Sequence, residues 1–180
     1  MLFRSRAAAA SRRLDDAFRT YLAERGTKRL PLADVAGLVT GVAVLRLEAD
    51  AVLDLWKGED GQAGGDAAAA RHEILGTAGR VTSWYGGLAT TISTGGELPQ
   101  PLAHDNAADG RLIRAVRRDL LGDDGRASAT AVRMIWTDDH LDVVRRLQAA
   151  IISPARATAG QPAGGRTIPP LPRRFLALLR

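Results

Sequence analysis

Between Pro31 and Trp56 the apolar residues Val35, Leu38, Val42, Leu45, Ala49, Val52 and Trp56 recur at alternating steps of three and four. That spacing lines one side of an α-helix with a continuous apolar seam. A strand cannot use the pattern, because its side chains change face at every residue. A seam of this length needs neighbouring helices to cover it, so the chain is constrained toward a bundle. Pro31 opens the helix at its first turn, where a missing N–H costs nothing. Arg46, Asp50 and Asp54, at steps of four, read as its solvated face with local charge pairing.

The remaining segments follow the same rule. Ser5 to Arg25 carries Ala7, Ala10, Leu14, Phe18, Tyr21 and Leu22 at helical spacing, with Gly26 as its stop. The glycine-rich run Gly58 to Gly65 is a connection, and Asp66 caps a third helix that reaches about Thr94 through Leu75, Ala78, Val81, Tyr85, Leu88 and Ile92. Gly76, Gly79, Gly86 and Gly87 lie inside that helix. Each costs about 1 kcal/mol relative to alanine, which predicts either a kink near Gly86-Gly87 or close approach of a neighbour. Gly95 to Asn106, with Pro99 and Pro101, is a loop. A fourth helix over Asp109–Leu121 turns Leu112, Ile113, Val116 and Leu120 inward. Ser128 caps a fifth that ends before Pro154, with Val132, Ile135, Trp136, Val143, Val144, Leu147 and Ile151 as its stripe and a break expected at Thr137-Asp138-Asp139.

The expected architecture is all-α: an up-and-down bundle of about five helices, with the first, second, third and fifth as long members and the fourth across one end. The helical domain spans residues 1–154. Residues 155–180 form an irregular Pro/Gly/Arg-rich tail that closes on a short basic apolar segment, Arg173 to Arg180. Composition agrees, since 46% of residues are hydrophobic but only 4% aromatic, a palette suited to helix packing rather than to sheets.

The chain carries a net charge of +5 and no cysteine, which removes disulfides and thiolate chemistry together. Its near-exclusive use of arginine over lysine reads as the coding bias of a GC-rich genome. The N-terminus lacks the apolar core of a secretory signal, because Ser11-Arg12-Arg13 interrupts it. The longest apolar run, Val35 to Leu45, falls well short of the roughly 18 residues of a spanning helix.

Chemistry-bearing motifs are sparse. His72, His104 and His140 lie far apart and have no metal-ligand spacing. Asp138, Asp139, His140 and Asp142 form the densest polar cluster, yet successive helical residues point to different faces, so at most two converge. No Gly-x-Ser-x-Gly elbow and no phosphate loop is present. Gly37 and Gly41 form a Gly-x-x-x-Gly, which in a helix of this kind marks a close crossing. The outer face of the fourth helix is basic: Arg111, Arg114, Arg117 and Arg118. It lacks the Asn, Gln, Ser or Thr side chains that read base edges, so it suits nonspecific phosphate or headgroup contact, or solvation.

Ala17 to Gly26, then Lys28 to Val35, then Leu45 to Trp56, together with Pro169-Pro170-Leu171-Pro172-Arg173-Arg174-Phe175-Leu176 near the end, resemble the cytosolic helical region of actinobacterial membrane proteins of the fusaric-acid-resistance and aromatic-acid-exporter (FUSC-like) group. The resemblance implies assembly or regulation at the cytoplasmic face of the cell membrane. It carries over no transport residue, because this chain has no spanning helix. The partners expected are an anionic membrane surface or the membrane-embedded part of an exporter, with homo-oligomers open; no cofactor, metal or sequence-specific nucleic acid is expected. The candidate surface contacts are Arg111, Arg114, Arg117, Arg118, Arg173, Arg174 and Arg180. Two other classes are a stand-alone binding or adaptor protein and a small helical enzyme. The enzyme would need an enclosed polar pocket holding two of the histidines or the Asp138 cluster.

Overall fold

The computed structural model of the 180-residue chain describes residues 2–24, 31–57 and 67–159, with 2–7 and 159 as backbone. The expectations at Gly26, at Gly58 to Asp66 and for the tail from residue 160 onward lie outside the described residues. Five α-helices are present: α1 (Leu2–Ala23), α2 (Leu32–Leu55), α3 (Ala68–Thr94), α4 (Asn106–Asp119) and α5 (Ala129–Ala159). Among the described residues there is no strand, and the one β-bridge, Leu121 with Ala127, closes the turn before α5.

α5 is the centre of the bundle. α2 runs antiparallel to it, with Gly37 beside Pro154, Gly41 beside Ile151, His140 on Glu48, and the Trp56 indole N–H donating to Thr137 Oγ1 at 3.0 Å. The expected glycine crossing is therefore present, and it decides which face of α2 goes inward. The contact line passes through Gly37 and Gly41, so Gly41 is the buried residue of α2, while Val42 and Ala49 from the expected seam are exposed and Leu45 is half-buried. Leu45→Ala is accordingly expected to cost about 1–2 kcal/mol, below the range of a sealed core leucine; urea denaturation checks it.

α3 runs parallel to α5 and supplies both cores. Ala67, Ala70 and Ile74 meet Leu112, Ala115, Val116 and Leu120 around α4, with Ala131 and Met134 of α5. Trp84 and Leu88 meet Ile151 and Ala155 at the other end, with Leu38 and Leu102 packed against them. The expected inward residues hold in part: Val81, Leu88, Leu112, Val116, Leu120 and Ile151 are buried. Leu75, however, is 64% exposed and Trp136 54% exposed, Ile113 and Val132 also face outward, and Ile74, Trp84, Met134 and Ala131 are buried in their place. Each row satisfies helical spacing; small alanines let α3, α4 and α5 approach on the row actually used.

Three further expectations change. α4 lies antiparallel along the first half of α3 rather than across one end, since Arg111 pairs with Glu73 and Asp105, the α4 cap, pairs with Arg80. α5 is continuous through Thr137-Asp138-Asp139, where the buried Thr137 hydroxyl donates to the Arg133 carbonyl at 2.8 Å instead of breaking the helix. It also continues through Pro154 to Ala159, so residues 155–159 are helical and Ala155 is a core residue. On the α2 side the proline ring packs against Gly37, where a side chain would meet it. The cap at Ser128 is as expected, its Oγ accepting from the Ala131 N–H at 3.1 Å. α3 is unbroken, and nothing lies within 4 Å of where side chains would start at Gly79, Gly86 and Gly87, so close approach does not explain those glycines.

Between α3 and α4 a strap, Gly95 to Asp105, crosses the bundle. Gly95 and Gly96 both adopt positive φ (81° and 121°), which ends α3 in a conformation that side chains disfavour. Three bonds seat the strap: Trp84 Nε1–H to the Gln100 carbonyl at 2.7 Å, the Leu102 N–H to Gln148 Oε1 at 2.8 Å, and Arg145 to the Leu102 carbonyl at 3.2 Å.

Candidate functional site

Where the strap meets α3, α4 and α5, it leaves an open cleft of about 210 Å³ with Val81, Leu102 and Leu141 as its apolar lining. Polar groups from all four elements meet there. His104 of the strap stands between two carboxylates, with Nε2 at 2.8 Å from Asp109 Oδ2 of α4 and Nδ1 at 3.3 Å from Asp142 Oδ1 of α5. These are ion-pair contacts, which attract only when the imidazole is protonated. Arg145 bonds Asp142 at 2.8 Å, Arg146 approaches the same carboxylate at 3.1 Å, and Arg80 of α3 reaches Asp105 at 3.3 Å.

Helix periodicity creates this convergence. Asp138 and Asp142 are one turn apart on α5 and share the cleft, while Asp139 is exposed and His140 turns to α2, where its Nδ1 lies 2.5 Å from Glu48 Oε2. The cluster thus divides as helical geometry requires.

The acids differ in their environments. The Ala108 N–H, bonded to Asp105 Oδ1 at 2.9 Å, holds the Asp105 carboxyl below the usual carboxylate range. At Asp142 burial acts upward, but the Arg145 hydrogen bond and the charges of Arg145, Arg146 and His104 outweigh it and keep the group low. Asp138 is the opposite case: burial first, then the charges of Asp109, Asp139 and Asp142, push it up to about 6, with His104 acting against them. No hydrogen-bond partner or ion pair among the described residues serves the Asp138 carboxylate. Among the described residues no group of three or more His, Asp or Glu side chains is arranged to hold a metal ion.

The arginine face of α4 is divided by the fold. Arg111 Nε donates to both carboxylate oxygens of Glu73 at 3.0 Å, and Arg118 chelates Asp119 at 2.5 Å. Arg114 and Arg117 are exposed, and no carboxylate among the described residues pairs with either. They share the outward side of α4 with Ile113, and Leu121 just beyond the helix is exposed as well. Arg173, Arg174 and Arg180 lie outside the described residues.

Sequence spacing grouped Asp138 with Asp142, but did not bring His104 to them. Nothing local signals that Arg80, Asp109 and Arg145 belong with them, because the convergence depends on where the strap crosses α5. Among the described residues no helix is long and apolar enough to cross a membrane. Comparison with family models, curated proteins and solved structures finds no match.

Proposed function

We propose that the chain is a non-catalytic helical domain of, or companion to, a FUSC-like membrane exporter, serving assembly or regulation against the anionic cytoplasmic face of the membrane. The observation that supports this reading is the outer side of α4, where Arg114 and Arg117, unpaired among the described residues, stand with exposed Ile113 and Leu121. From Ile113 to Arg117 to Arg114 the side chains span an arc of about 100° on the helix, so all three reach one plane. Basic residues gain about 1 kcal/mol each beside anionic lipid, and the two aliphatic side chains add shallow apolar burial. Arg111 and Arg118 contribute less, because their carboxylate partners already neutralise them.

Vesicle co-sedimentation tests the reading. The full chain is expected to bind vesicles containing phosphatidylserine and not neutral phosphatidylcholine vesicles, with affinity falling as salt rises. Replacing Arg114 and Arg117 together by alanine should weaken binding about 30-fold, the product of two such contributions. Equal behaviour toward both vesicle types at low salt, or binding indifferent to the double substitution, would defeat the proposal.

A further inference from the structure

We propose that His104 is a proton-dependent latch that ties the Gly95–Asp105 strap to α4 and α5, fastened when its ring is charged and loosened when the ring is neutral. The inference stands apart from the membrane reading and uses only the cleft. Its basis is geometric: one imidazole faces a carboxylate at each nitrogen, Asp109 at 2.8 Å and Asp142 at 3.3 Å. Both contacts are ion pairs, attractive only when the ring is charged. With one proton removed, a nitrogen lone pair faces a carboxylate oxygen, and that contact changes from attractive to repulsive. Histidine is the side chain whose charge ordinarily changes between pH 5 and 8.

Acidic groups from three elements face the ring. The strap itself contributes Asp105, α4 contributes Asp109, and α5 contributes Asp138 and Asp142. The cations facing them are already committed, Arg80 of α3 to Asp105 and Arg145 and Arg146 of α5 to Asp142. α4 and α5 touch only sparsely, so a side chain ion-paired to both adds a link between them. The other interhelical histidine, His140, bonds Glu48 at the α2 contact and does not line the cleft. Opening the latch would loosen Ala103 and His104 between Leu102, still bonded to Gln148 and Arg145, and Asp105, still bonded to Ala108.

Hydrogen exchange of the intact protein, corrected for the intrinsic pH dependence of amide chemistry, reads the latch where it acts. Protection of the Leu102, Ala108 and Asp109 amides, which are hydrogen-bonded on either side of the latch, is expected to fall about threefold to fivefold from pH 5.5 to pH 8, as suits a partly exposed ionic contact, while the α2–α5 amides stay level. His104→Gln should remove that step and hold the strap at the alkaline level. Asp109→Asn, which keeps the histidine but removes one acceptor charge, should reduce the step and serves if the glutamine variant folds poorly. Asp138→Asn must keep the step, because Asp138 also changes charge near this range. A flat profile in the unsubstituted protein, a step surviving in His104→Gln, or a step abolished by Asp138→Asn would each overturn the latch.

Discussion

Gly41→Leu is expected to destabilise the fold by about 3 kcal/mol or more, at the upper end of what overpacking does in a well-packed core. A Cβ placed at Gly41 would overlap the Ile151 side chain, with Cγ1 at 2.7 Å, and one at Gly37 would meet Pro154 Cγ at 2.9 Å. Ile151 cannot turn aside freely, since it is 4% exposed and wedged against Trp84, Leu88 and Ala155. Leucine is a far better helix former than glycine, so intrinsic propensity acts in favour of the substitution and the loss isolates the α2–α5 crossing. Gly86→Ala supplies the contrast. Nothing lies within 4 Å of that position, and the variant should gain up to about 1 kcal/mol from propensity alone. Urea midpoints for the two variants should move in opposite directions; a Gly41→Leu protein as stable as the parent would mean that α2 does not cross α5 here.

The same two glycines show how far sequence reasoning reached. Periodicity was sufficient for the all-α class and for the five helices, because a 3.6-residue repeat survives whatever the helix packs against. It could not choose between adjacent rows. Leu75 and Ile74 both fit the spacing of α3, and the choice fell to Ile74 because Ala67 and Ala70 on its row allow α4 to approach. α5 outran its expected end because the local cost of Pro154 is offset by burial of the residue beyond it, Ala155, against Trp84, Leu88 and Ile151. The cleft was less legible still. Asp138 and Asp142 could be paired from their i, i+4 spacing, but His104 joins them only through a strap seated by Trp84, Gln148 and Arg145, contacts of 16, 46 and 43 residues' separation. Four arginines on α4 were readable as a basic face; that Glu73 and Asp119 occupy two of them was not.

Asp138→Asn is expected to stabilise the protein at neutral pH, by roughly 2 kcal/mol, although it removes a native side chain from a polar cleft. The Asp138 carboxyl is pushed up to about 6 by burial and by the charges of Asp109, Asp139 and Asp142, against an ordinary value of 3.8. A carboxyl raised by folding binds its proton more tightly in the native state than in the unfolded chain. Below about pH 4 both states are protonated and the group costs nothing. Between pH 4 and pH 6 the unfolded chain ionises first, so native stability falls as pH rises. Above pH 6 the whole penalty is present, at about 1.4 kcal/mol for each unit, discounted to roughly 2 kcal/mol in all because solvent screens a half-buried carboxylate. Asparagine cannot ionise and escapes that penalty. Variant and parent should therefore unfold alike at pH 4, separate through the interval from 4 to 6, and keep a constant gap at higher pH. Asp142 is expected to behave in the opposite sense. Its carboxyl is held low by Arg145, Arg146 and His104 despite burial, so Asp142→Asn should lose stability at neutral pH and leave Arg145 without its 2.8 Å partner. Chemical denaturation of both variants at pH 4 and pH 7.5 distinguishes the two environments. If Asp138→Asn is destabilising at pH 7.5, or if its gap does not change with pH, the carboxylate has a partner and the cleft does not strain it.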